Sequence, residues 1–199
     1  MKKRLNQRDE NLLLYLKRFD FLTRDQLRHI CKLGTIRNTN RVLYELSEHL
    51  MSVRDGYQSI YYLSKLGREY VGCEKIRKKG GHVEHTIMRN QLWLYSGCPS
   101  DWKNEIKVSD GKTTLVTDAM YKTSIQTHFL EVDLTQTMNR NREKIKKYLA
   151  LHQNGLITES LGEFPVLVWL TTTELRRKQL KEACAELPLV RVYTTTDIQ

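Results

Sequence analysis

Residues 37–63 read RNTNRVLYELSEHLMSVRDGYQSIYYL. Apolar residues return at helical spacing from Val42 to Leu50, which predicts a helix over residues 37–50. Two runs typical of strands then flank Asp55-Gly56, a dipeptide that favours a tight hairpin. This stretch therefore predicts a helix with a polar first turn, followed directly by a β-hairpin.

Two further helices are expected before this stretch. Leucines and a phenylalanine recur at helical spacing between Leu5 and Phe19. Thr23 and Gln26 have the spacing of a capping box, which predicts a short second helix from Thr23 to about Cys31. Three helices and a hairpin in this order are typical of a winged helix-turn-helix, which we expect over residues 1–75.

Charge is distributed unevenly along the chain. Residues 1–80 hold 18 Lys and Arg against 9 Asp and Glu, whereas residues 81–199 hold 15 against 14. A net charge of +9 attracts polyanions, which favours double-stranded DNA over a membrane surface as the partner of the first part. The side chains expected to contact DNA lie on the third helix and at the hairpin tip: Arg37, Asn38, Thr39, Asn40, Arg41, Tyr44 and Arg54.

A basic segment that ends in two glycines, residues 76–81, predicts a linker. Beyond it, residues 82–199 predict a helix, three strands, a basic helix, a strand, a helix and a last strand. This order indicates a small α/β domain with a mixed sheet, so the whole chain is expected to be α+β. The element order resembles the PD-(D/E)XK nuclease fold, and the domain is also a candidate for pairing two subunits.

Active members of that nuclease fold gather carboxylates around a divalent metal, with a lysine nearby. Asp118 lies on the second predicted strand, and Glu131 and Asp133 alternate on the third, so the latter two face the same side. Lys144 on the basic helix is the candidate lysine, and Glu84 on the first helix is a further candidate carboxylate. If the domain is a nuclease, Asp118, Glu131, Asp133 and Lys144 are its catalytic residues, and Asp118 and Glu131 bind Mg²⁺ or Mn²⁺. The alternative is that these acids form structural ion pairs with the basic helix.

The sequence resembles the replication-relaxation family of plasmids and other mobile elements. The resemblance rests on an ordered set of short motifs: residues 21–27, 61–67, 102–105, 117–119, 129–133 and 165–177, with His85, Asn90, Lys144 and Tyr148. It implies a winged-helix DNA-binding protein that acts in replication control, transcription regulation or DNA transfer, beside replication or transfer proteins of the same element.

The sequence favours a DNA-binding protein, which needs no cofactor, with a non-catalytic second domain; the alternative is a metal-dependent endonuclease or nickase. A tyrosine-dependent relaxase has less support, because no histidine cluster accompanies the tyrosines. Helix-turn-helix proteins commonly bind paired half-sites, so a homodimer is expected. Scattered cysteines, no apolar run of about 18 residues and no apolar region after the first lysines predict a cytoplasmic protein without membrane contact.

Overall fold

The structure is a computed structural model that describes residues 4–78, 80 and 82–198. Contacts divide the chain into two units between Asn90 and Gln91. The predicted linker lies within the first unit, and two of its residues, Lys79 and Gly81, are outside the described residues. Asn90 belongs to the first unit because its side-chain amide donates hydrogen bonds to the carbonyls of Phe19 and Phe21, at 3.0 and 2.8 Å.

The first unit contains helices and a three-stranded sheet. The helices are α1 (Gln7–Phe19), α2 (Arg24–Ile30), α3 (Ile36–Glu45), α4 (Lys65–Tyr70) and the start of α5 (Val83–Tyr95). The strands are β1 (Leu22–Thr23), β2 (Leu50–Asp55) and β3 (Gln58–Leu63), paired antiparallel in the order β1-β3-β2. Two apolar residues of α1, Leu12 and Leu16, and two of α3, Val42 and Leu43, are buried in its core.

The capping box predicted at the start of α2 is confirmed. The Thr23 hydroxyl accepts a hydrogen bond from the Gln26 amide at 3.1 Å, and the Gln26 side chain accepts one from the Thr23 amide at 3.0 Å. Two of the free N–H groups at the start of this helix thereby gain partners within the chain.

The third helix is shorter than the sequence predicts, since α3 ends at Glu45 and not near Leu50. Leu50 is the first residue of β2 and pairs with Leu63. Every apolar position from Val42 to Leu50 that fits the helical spacing is buried, so the periodicity does not reveal where the helix gives way to a strand.

The hairpin is confirmed, but its turn lies one residue later than predicted. Asp55 pairs with Gln58, which leaves Gly56 and Tyr57 as the turn. Gly56 has a φ of +54°, a conformation that glycine adopts without steric cost. Arg54 therefore lies in β2 opposite Ser59, one pair away from the turn.

The second unit has a mixed five-stranded sheet in the order β4-β5-β6-β7-β8. Its strands are β4 (Lys103–Ser109), β5 (Thr114–Lys122), β6 (Thr127–Asp133), β7 (Val166–Thr171) and β8 (Val190–Thr194). The pairs β4-β5 and β5-β6 are antiparallel, and β6-β7 and β7-β8 are parallel. The α+β class with a mixed sheet that the sequence predicts is thus confirmed.

Helices α6 (Met138–Asn154), α7 (Leu156–Leu161) and α8 (Glu174–Ala183) complete the second unit. The short α7 was not predicted. Ile145 and Tyr148 of α6 and Leu180 of α8 share one buried cluster with Phe129 and Trp169 of the sheet. Within the described residues, no helix combines the length and apolar character needed to cross a membrane.

Candidate nucleic-acid interface and carboxylate cluster

Helix α3 has a buried face and an exposed face. Thr39, Val42 and Leu43 are buried, whereas Arg37, Asn40, Arg41 and Tyr44 are exposed. The Thr35 hydroxyl caps the helix by accepting a hydrogen bond from the Asn38 amide at 3.2 Å. The residues of α3 that are predicted to contact DNA therefore do not all lie on its exposed face.

Thr39 lies on the wrong side for a ligand on the exposed face. Its side chain is fully buried, and its hydroxyl donates a hydrogen bond to the Thr35 carbonyl at 2.9 Å. The sequence grouped Thr39 with its polar neighbours, but the helical period turns it inward beside Val42 and Leu43. We therefore leave Thr39 out of the candidate interface.

The exposed polar residues of α3 differ in how strongly the protein holds them. Arg41 donates to the side chains of Asn38, at 2.9 Å, and Glu45, at 2.6 Å. Asn38 also donates to the Leu33 carbonyl at 2.8 Å. Arg37 and Asn40 make no hydrogen bond through their side chains that is resolved within the described residues, and Tyr44 is 80% exposed. The exposed face therefore combines a pre-oriented Arg41 with side chains open to an external partner.

The hairpin adds a second exposed group to this unit. Arg54 is exposed near the end of β2, and Tyr57 in the turn is 99% exposed. A large ring left wholly in water contributes nothing to the packing of the unit. Tyr57 is not among the residues that the sequence predicts to contact DNA, although an aromatic residue directly after a turn glycine is the available signal.

The second unit contains the predicted carboxylates on β5 and β6. Glu131 is buried, with 1% of its side chain exposed. One carboxylate oxygen accepts a hydrogen bond from the Tyr148 hydroxyl at 2.5 Å, and the other pairs with the Lys144 ammonium. Both partners belong to α6, one turn apart, so this cluster joins β6 to that helix.

The pKa of Glu131 is raised from its ordinary 4.5 to about 8, chiefly because burial disfavours the charged carboxylate. The nearby Asp118 carboxylate raises the pKa further, since two negative charges disfavour each other. Lys144 and Tyr148 act in the opposite direction without reversing the shift. The pKa of Tyr148 is in turn raised well above its usual value, chiefly by burial.

The side chain of Asp118 forms a hydrogen bond within the sheet. The ladder between β5 and β6 runs from Lys122 to Ala119 and stops there. Just past that point, Asp118 Oδ2 accepts a hydrogen bond from the Val132 amide at 2.7 Å. The Thr117 hydroxyl donates to the carbonyl of Leu130, the last paired residue of β6, at 2.8 Å. Side chains thus add hydrogen bonds between β5 and β6 where the backbone ladder ends.

Asp133 is fully buried and enclosed by donors. The Arg176 guanidinium reaches both of its carboxylate oxygens, with the Nε contact at 2.8 Å. Asn141 donates to Oδ1 at 2.8 Å and the Thr171 hydroxyl to Oδ2 at 2.9 Å. This carboxylate links the end of β6 to α6, β7 and α8, as the structural ion-pair alternative requires, although the partner is Arg176 of α8 and not a residue of the basic helix.

The carboxylates of this unit, with the hydrogen bonds that they make, do not fit a bound divalent metal. Both oxygens of Glu131 and of Asp133 already accept hydrogen bonds from protein groups, and Asp118 Oδ2 accepts one from the backbone. Among residues 4–78, 80 and 82–198, no three His, Cys, Asp or Glu side chains come together as a metal site. Glu84, the further candidate, lies exposed on α5 in the first unit.

Comparison with solved structures finds loose similarities. Protein VC1899 from Vibrio cholerae aligns with a TM-score of 0.39 and 10% identity, covering 98% of this chain and 55% of its own. Can2 from Sulfobacillus thermosulfidooxidans, solved in complex with cyclic tetra-adenylate, aligns with a TM-score of 0.35 and 12% identity, covering 94% and 47%. This chain thus spans about half the length of each, and similarities this weak carry no argument.

Comparison with curated proteins gives no match. The profile of the replication-relaxation family, in contrast, matches residues 13–167. The match includes all of α3, the hairpin, and the strands and helix that carry Asp118, Glu131 and Lys144. It suggests a role in replication or in mobile elements. The chain belongs to the replication-relaxation family.

Proposed function

We propose that this protein binds double-stranded DNA through a winged helix in its first unit. On this proposal it acts in the cytoplasm in replication control, transcription regulation or transfer of a plasmid or other mobile element. The observation that carries the proposal is the exposed face of α3, which presents Arg37, Asn40, Arg41 and Tyr44 to solvent.

The chemistry of this face suits a DNA groove. Arginine recognises guanine and asparagine recognises adenine by paired hydrogen bonds in the major groove, which admits an α-helix. Arg41 is already oriented by Asn38 and Glu45, which lowers the entropy lost on binding. On this proposal the hairpin is the wing, and Arg54 and Tyr57 at its end contact a backbone or an adjacent groove.

The test begins with selection of a tight-binding 30-base-pair duplex from a random pool. We expect Arg37→Ala/Arg41→Ala to weaken binding of that duplex by about 2–4 kcal/mol, because two groove contacts are lost. Lys65→Ala/Lys75→Ala removes the same charge from exposed positions of the same unit and is the matched control.

Fluorescence anisotropy at fixed salt measures both affinities. The control variant should bind within about threefold of the wild type, since it loses only diffuse electrostatic attraction. Equal losses in the two variants would show that charge alone drives binding and would contradict recognition through α3.

For the second unit we propose a nuclease-like domain whose carboxylates are structural, with pairing of two subunits as its role. The support is that donors of the protein occupy both oxygens of Glu131 and of Asp133. Two copies of the winged helix would then read paired half-sites. Sedimentation of the chain alone and with the selected duplex tests the pairing, and a 1:1 complex would contradict it.

A metal-dependent endonuclease or nickase is the second candidate. It is favoured by one observation: Asp118 lies close enough to Glu131 to raise its pKa, with Lys144 beside them. Mg²⁺ or Mn²⁺ binding to Asp118 and Glu131 would require Glu131 to exchange its protein donors for the ion. Incubation of supercoiled plasmid with Mn²⁺ tests this: nicking by the wild type that Glu131→Gln abolishes would establish the nuclease, and intact plasmid would leave the structural role.

A further inference from the structure

Helix α6 has a cationic surface that the carboxylate cluster does not use. The helix carries five basic residues and one acidic residue, whereas the remainder of residues 91–199 is net negative. Of the five, Lys144 pairs with Glu131. The other four are exposed and form no ion pair within the part of the chain that the structure describes: Arg140, Arg142, Lys146 and Lys147.

These four side chains form two rows on the exposed surface of a long helix, about 130° apart around its axis. Arg142 and Lys146 are four residues apart, and Arg140 and Lys147 are seven apart, so each pair forms a row on the helix surface. Glu143 lies between the rows. With 17 residues, α6 is about 25 Å long. The inward face, with Asn141, Ile145, Tyr148 and Leu151, is buried against the sheet.

We propose that the outer face of α6 is a second DNA-binding surface, which holds phosphates of the duplex backbone. Lysine and arginine on a helix surface are common phosphate ligands that carry no base preference. The inference rests on the proposed DNA binding by this protein but not on α3 as the reading helix. It assigns α6 to affinity and leaves sequence preference to the first unit.

A membrane surface fits this face less well than DNA. Helices that bind anionic membranes insert an apolar face among the lipids. The apolar face of α6 is already buried in the core of its unit, and none of the large exposed apolar side chains of the described residues belongs to this helix. A cationic helix face that exposes no large apolar side chain of its own is suited to a hydrated polyanion.

The experiment compares two fourfold variants of the full chain. The first changes Arg140, Arg142, Lys146 and Lys147 to Gln. The second changes four exposed lysines outside α6, on the β4–β5 side of the same unit, to Gln: Lys103, Lys107, Lys112 and Lys122. Both remove four positive charges from one unit, so they are matched in net charge and differ in where the charge was.

The readout is the dependence of affinity on salt, measured on the selected duplex and on an unrelated duplex. Each lost phosphate contact makes the negative slope of log K against log salt shallower by about 0.9. We expect the α6 variant to reduce the magnitude of the slope by about 2–4 on both duplexes, and the lysine control by less than about 1. Acetylation footprinting gives a second reading, in which DNA protects Lys146 and Lys147 but not Lys103 and Lys107.

Other outcomes overturn the proposal for α6 or separate it from the proposed function of α3. Equal slope changes in the two variants would show only diffuse attraction, and no change in either would show that α6 is free of DNA. Loss of binding to phosphatidylserine vesicles without loss of DNA binding would assign α6 to a membrane. If the α6 variant loses affinity while Arg37→Ala/Arg41→Ala does not, the proposed function of α3 fails and the surface on α6 stands.

Discussion

Helix α3 and strand β6 both carry rows of polar side chains, but they differ in where those side chains find partners. On α3, Arg37, Asn40 and Tyr44 extend into solvent. On β6, Glu131 and Asp133 are buried, and the protein supplies a donor to every one of their oxygens. Buried charges require such partners, whereas exposed ones do not. The polar residues of β6 therefore hold the second unit together, while those of α3 remain available for a ligand.

The strongest test of this difference is removal of the carboxylate of Asp133. Asp133→Ala removes the buried carboxylate that accepts hydrogen bonds from Arg176, Asn141 and the Thr171 hydroxyl. We expect the free energy of unfolding to fall by about 3–5 kcal/mol, the usual result of breaking a buried ion pair.

Urea unfolding followed by circular dichroism measures this loss. Glu69→Ala is the control, since it removes the exposed partner of Lys65 and should cost less than about 1 kcal/mol. A loss below about 1 kcal/mol for Asp133→Ala would mean that the enclosure of this carboxylate contributes little.

The pH dependence of stability tests Glu131. A carboxyl group whose pKa rises from 4.5 in the unfolded chain to about 8 in the fold binds more protons when folded. Its contribution to stability is therefore complete below about pH 4.5 and declines as the pH rises through about 8, by up to about 1.4 kcal/mol per pH unit.

Comparison of the wild type with Glu131→Gln isolates this contribution. Because the amide does not titrate, the variant should lack this decline, and its stability relative to the wild type should rise between pH 5 and pH 8. Parallel stability profiles over that range would mean that Lys144 keeps Glu131 ionised in the fold.

The contrast between the two regions also explains what the sequence predicts well. Hydrophobic spacing and caps are local, so the order of the main helices and strands, the capping box at Thr23 and the mixed sheet followed from the sequence. Elements of only a few residues did not follow from the sequence. Strand β1 has two residues and exists because Leu22 and Thr23 pair with β3.

The candidate site was less predictable because partners distant in sequence decide it. The alternation of Glu131 and Asp133 placed both on one face of β6, and both indeed contact α6. The partner of Asp133, however, is Arg176, which is 43 residues away and belongs to α8. Thr39 shows the same limit within a single helix, since polar character suggested a DNA contact and burial excludes it.

A smaller effect is expected at the start of α2. Thr23→Ala removes the hydroxyl that accepts from the Gln26 amide, and loss of such a cap costs about 1 kcal/mol. The same urea unfolding measures it, with Thr23→Ser as the control that keeps the oxygen. Equal losses for Ala and Ser would show that the methyl group of this buried threonine matters and that its hydrogen bond does not.

The smallest expected change in stability is at Asn40, on the exposed face of α3. Asn40→Ala removes no resolved side-chain contact and replaces asparagine with a better helix former, so the free energy of unfolding should stay within about 0.5 kcal/mol of the wild type. Binding of the selected duplex should nevertheless weaken by about 1–3 kcal/mol if Asn40 contacts a base. An exposed residue that contacts DNA should thus affect binding without affecting stability. Asp133 cannot show this separation, because removing its carboxylate destabilises the fold. A variant that loses both together would place Asn40 in the packing of the first unit, and α3 would then resemble β6 in having its polar groups satisfied from within.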